Sequence, residues 1–77
     1  MNWSVPDGLE TRMETRMKVM ELRVKAARMR AEFSKAMDLV SASELAEAEA
    51  LLGRVSAELV RLAGETALVR WALRELL

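Results

Sequence analysis

The sequence predicts an all-α protein: an antiparallel helical hairpin with coiled-coil-like packing, associating into a four-helix or larger bundle. Three observations lead there. Ala, Leu, Glu, Arg, Met and Lys dominate the 77 residues, and neither Gly nor Pro occurs between residues 9 and 52; all six residue types are good helix formers. One polar break, "DLVSASE" at residues 38–44, divides this helical composition. Apolar residues after the break recur at alternating spacings of three and four, which is the mark of a left-handed, coiled-coil-like seam.

The whole chain, 1–77, reads as one domain. Residues 1–8, "MNWSVPDG", form a non-helical lead, because Pro6 and Gly8 discourage regular structure before them. Asp7 suits a helix cap, with Glu10 completing a D-x-x-E box. Trp3 is read as a plug folding back on the bundle, since a large exposed ring is unfavourable.

Helix one is expected over residues 9–38. Its apolar residues fall in two stripes on nearly opposite sides at ~100° per residue. One stripe is Met13, Met17, Met20, Val24, Ala27 and Ala31; the other is Val19, Leu22, Ala26, Met29, Phe33, Ala36 and Val40. Methionine adapts to irregular surfaces, so the first stripe suits a core, a permanent interface or an adaptable groove. A row of arginines, Arg12, Arg16, Arg23 and Arg30, lies in one gap between the stripes.

A turn is expected at 39–43. Ser41 is a good N-cap for the next helix, Glu44 stands where it can reach back, and Val40 with Leu45 can form the hydrophobic staple. Helix two then covers 44–77. Its main stripe is Leu45, Ala48, Leu52, Val55, Leu59, Leu62, Thr66, Val69, Leu73 and Leu76. A second stripe opposite it is Ala46, Ala50, Gly53, Ala57, Val60, Gly64, Ala67 and Trp71. Gly53 and Gly64 each cost about 1 kcal/mol against Ala in a helix interior. That cost is easiest to understand where another backbone approaches; the other reading is a helix break near Gly64.

A lone hairpin covers one face of each helix, and here both helices carry two apolar faces. The remaining faces call for association with further chains, or for a fold-over at Gly64 into a three-helix bundle. The expected partners are a second copy, another helical protein, or both. Contact residues are Leu52, Val55, Leu59, Leu62 and Val69 on one face and Gly53, Ala57, Val60, Gly64 and Trp71 on the other.

Catalysis has little to stand on. Cys, His and Tyr are all absent, which removes thiolate metal sites, disulfides and the usual neutral-pH base. The reading is therefore non-enzymatic, with no cofactor and no metal. Glu44, Glu47 and Glu49 can in principle hold a hard cation but suit a solvated helix start better. Formal net charge is zero, so no global field draws the chain to nucleic acid. Locally, residues 12–30 hold seven basic and two acidic groups. A Rop-like nucleic-acid-binding helical dimer laying Arg12, Arg16, Arg23 and Arg30 along a phosphate backbone is the alternative function. No apolar run reaches the ~18 residues of a membrane span, and no cleavable signal is evident at the N-terminus. A cytoplasmic start is expected, with signal-less export open.

The stretch "ELAEAEALLGRVSAELVRLAGETALVRWALRELL" resembles the C-terminal helix of type III secretion needle and inner-rod subunits. The shared features are the leucine-anchored start, the small residues and serine of "GRVSAEL", and the apolar finish "LVRWALRELL". The overall layout is similar to the small helical-hairpin co-chaperones of those needles. That resemblance implies a subunit, or a hairpin that keeps an aggregation-prone subunit soluble before export. The proline-containing turn of needle subunits has no counterpart in "LVSASE".

Overall fold

A computed structural model describes residues 7–77, with side chains from Arg12 onward. The Trp3 plug and the Asp7–Glu10 capping box lie outside the described residues or side chains. Two helices make the fold: α1, Asp7–Ser41, and α2, Leu45–Leu76. At 1.5 Å per residue each is ~50 Å long. They pack on each other as an antiparallel hairpin. α2 continues through Gly64 without interruption, so the three-helix alternative does not occur. The helix-favouring residues around Gly64 outweigh the ~1 kcal/mol that one glycine costs.

The connection differs from the expected capping box. Ser41 is the last residue of α1, and Glu44 stands at the N-cap of α2 with no side-chain hydrogen bond. The chain reverses through a Schellman motif instead. The amide of Glu44 donates to the Leu39 carbonyl at 2.9 Å, and that of Ser43 donates to the Val40 carbonyl at 3.0 Å. Between them Ser43 takes a left-handed conformation, φ 61°. Both bonds satisfy carbonyls that the end of α1 leaves open. Val40 and Leu45, the expected staple, are both well exposed.

Inward-facing residues follow a strict heptad. On α1 they are Thr15, Leu22, Lys25, Met29, Glu32, Ala36 and Leu39; on α2 they are Ala48, Leu51, Val55, Glu58, Leu62, Glu65, Val69, Ala72 and Leu76. The ion pair between Lys25 Nζ and Glu65 Oε2, 2.7 Å long, fixes the register. Facing residues therefore have numbers adding to about 90, which sets Leu39 level with Leu51 and Met29 level with Leu62. The apolar core is the cluster of Met29, Ala36, Leu51 and Val55, with Leu39 and Leu62 packed against it.

The seam on α2 is thus displaced by one column from the expected stripe. Ala48, Val55, Leu62, Val69 and Leu76 are common to both. Their companions are Leu51, Glu58, Glu65 and Ala72 rather than Leu45, Leu52, Leu59, Thr66 and Leu73. The tight turn favours this phase by bringing Leu39 over Leu51, and Lys25 pairs with Glu65, which takes the inward place expected for Thr66.

Candidate functional site

The candidate site is the surface left around this narrow seam. Six apolar side chains are buried among the described residues, and none of the large ones is completely covered. Most large apolar side chains face outward, and they fall into distinct columns at seven-residue spacing.

One lateral side of the hairpin is apolar. Val19, Ala26, Phe33 and Val40 on α1 sit four residues after the inward column Thr15, Leu22, Met29 and Ala36. On α2, Leu45, Leu52, Leu59, Thr66 and Leu73 sit four residues after the inward column that includes Ala48, Val55, Leu62 and Val69. In an antiparallel pair these two columns lie on the same side. A shared groove lined by Arg12, Arg16, Val19, Leu73 and Leu76 shows this directly. The Thr66 hydroxyl donates to the Leu62 carbonyl at 2.7 Å, so its polarity is satisfied within its own helix.

The opposite side is charged. Its grooves are lined by Glu14, Lys18, Glu21, Lys25 and Glu65 toward the open end and by Lys35, Glu47 and Arg54 near the turn. Leu68 is the large apolar residue there.

The four arginines take a specific place. Arg12 continues the apolar column of α1, while Arg16, Arg23 and Arg30 form the next column outward, along its rim. All four are exposed, and none makes an ion pair among the described residues. They do not pair with the α2 glutamates.

The expected contact residues separate into three groups. Val55 and Val69 are buried and Leu62 half-buried inside the hairpin, so they are used by the fold itself. Leu52 and Leu59 lie on the apolar side. Gly53, Ala57, Val60, Gly64 and Trp71 face away on the back of α2. A Cβ added at Gly53 or Gly64 would meet nothing within 4 Å, so no backbone of this chain approaches either glycine. On the back of α1, Met13, Met17, Met20 and Val24 are exposed, whereas Met29 is buried. Sequence reasoning missed Leu51; the signal was its distance of 12 residues from Leu39 across a short turn.

Chemically, these surfaces offer packing and charge. Glu44, Glu47 and Glu49 are exposed at the turn end, and among the described residues no three His, Cys, Asp or Glu side chains gather around a common point. No described helix is long and apolar enough to cross a membrane. No protein-family model, curated protein or solved structure matches this chain.

Proposed function

We propose that this chain is a non-enzymatic assembly module that works by packing its helices against those of another chain. The observation that carries this reading is the imbalance between core and surface. The hairpin buries four apolar residues in its central cluster, while Phe33, Leu45, Leu52, Leu59, Trp71 and Leu73 stand exposed in regular columns. A chain this short, without disulfides, has few other means of stabilisation. Regular columns of apolar side chains on long helices are what helix–helix interfaces are made of.

Within this class, the narrower reading is a type III secretion subunit or small co-chaperone. The hairpin layout and the pattern of α2 support it. The test is sedimentation across a concentration series, alone and with a helical partner. Concentration-dependent association, or complex formation with an amphipathic helix, is expected. A compact monomer that binds no helix at any concentration overturns the reading.

A second reading has its own observation. Arg12, Arg16, Arg23 and Arg30 are exposed along one edge and make no ion pair among the described residues, as a phosphate-tracking row would. Titration with RNA and DNA at rising salt tests it: binding that weakens steeply with salt supports a nucleic-acid dimer, and no binding at low salt removes it.

A further inference from the structure

The apolar side of the hairpin has a composition that selects among occupants. Val19 and Phe33 of α1 and Leu52, Leu59 and Leu73 of α2 run along it from turn to open end. Two helices ~50 Å long and together ~20 Å wide present ~1,000 Å². That is close to the ~800 Å² that each partner contributes to a stable specific interface.

The rim decides the partner's charge. On the α1 edge stand Arg16, Arg23 and Arg30, one per heptad, with Arg12 at the open end of the apolar column itself. The matching outer column of α2 is Glu49, Ser56, Ala63 and Arg70, one acid and one base. The acids of α1 lie elsewhere: Glu14 and Glu21 are in the groove on the opposite side. A second copy docked here by a two-fold axis brings the arginine edge over either itself or that nearly neutral column. Neither arrangement neutralises three arginines, and like charges across an interface suppress pairing. A nucleic acid suits the arginines but leaves the adjoining phenylalanine and leucines against a phosphate backbone.

We infer that this side is the docking face for an amphipathic helix of another protein, one whose apolar stripe is bordered by acidic residues at heptad spacing. This rests on the assembly reading above and adds to it the face and the partner's chemistry. The partner helix lies along the groove between the Phe33 and Leu59 columns, and its acids meet Arg16, Arg23 and Arg30.

The test uses the full chain and two synthetic helical peptides of about four heptads with leucine at the core positions. One carries glutamate at the flanking positions, the other lysine. The glutamate peptide is expected to bind at least about tenfold more tightly, with the difference shrinking in salt. Phe33→Glu is expected to abolish binding, with Leu59→Gln as a milder second variant should Phe33→Glu lose helicity. Leu68→Glu, on the charged side, is expected to leave binding intact. Changing Arg16, Arg23 and Arg30 together to Glu is expected to reverse the preference toward the lysine peptide. Equal binding of both peptides, or loss through Leu68→Glu alone, overturns this face and this rim while leaving the assembly reading standing. A homodimer broken by Phe33→Glu likewise overturns it, because a second copy then covers the face. RNA binding lost in the arginine triple variant, with neither peptide bound, overturns it in favour of nucleic acid. A monomer that binds nothing removes both the inference and the assembly reading.

Discussion

The two halves of the hairpin seam are built from different materials. Near the turn, Met29, Ala36, Leu39, Leu51, Val55 and Leu62 make a continuous apolar contact. Toward the open end the inward positions are Thr15, Leu22, Lys25, Glu65, Val69, Ala72 and Leu76, and among the described residues Val69 is the buried apolar one. The first half holds the helices together; the second mainly holds them in register. Polar residues in a helical seam commonly trade stability for register.

Breaking the turn half is expected to have the largest effect. Leu51→Ala removes the best-buried leucine and is expected to cost about 2–3 kcal/mol. Thermal unfolding should show this as a fall in midpoint of roughly 15 °C. A matched pair of cuts separates the halves: Val69→Ala in the open half is expected to cost about 1.5 kcal/mol, and Val55→Ala near the turn more than that. Equal losses in denaturant titrations of the two variants would remove the distinction between the halves.

Gly53→Ala sharpens a different contrast, between the seam and the back of α2. With no atom within 4 Å of the added Cβ, the isolated chain is expected to gain about 1 kcal/mol from helix propensity alone. Denaturant midpoints measure this directly. A loss in place of the gain would mean that another backbone covers this face in solution. Ser43→Gly is expected to stabilise by about 0.5–1 kcal/mol by relieving the left-handed backbone at the turn. The smallest effect is expected from the register pair. Lys25 and Glu65 are each about 40% exposed, so a double-mutant cycle with alanine should give a coupling of about 0.2–1 kcal/mol, reduced in high salt.

The helices and their antiparallel pairing were legible in the sequence, because propensity and three–four spacing both pointed to them. The phase of the seam was not. Ala48, Val55, Leu62, Val69 and Leu76 belong equally to two overlapping heptad patterns, one completed by Leu45, Leu52, Leu59 and Leu73, the other by Leu51, Glu58, Glu65 and Ala72. Hydrophobicity alone selects the leucines. The choice is made by Leu39 meeting Leu51 across the turn and by Lys25 compensating Glu65, and both are long-range facts. The turn itself was misread for a local reason: "SASE" has the composition of an N-cap, while the backbone uses it to close α1. For the candidate surface, the two-facedness of each helix was visible, and the arginine row was visible. Their adjacency, with the arginines bordering the apolar side, required knowing which column the hairpin buries.

The short turn also sets a kinetic order. Leu39 and Leu51 are separated by 12 residues, whereas Thr15 and Leu76, at the other end of the seam, are separated by 61. By loop-closure entropy the distant contact costs ~1.4 kcal/mol more to form first. The hairpin is therefore expected to close like a zipper, with Ser43 at its fixed end. Substitutions around Leu51 then act chiefly on the folding rate, and those around Val69 chiefly on unfolding. The ends farthest from the turn open first, and the surface they release is continuous with the apolar side that a partner would occupy.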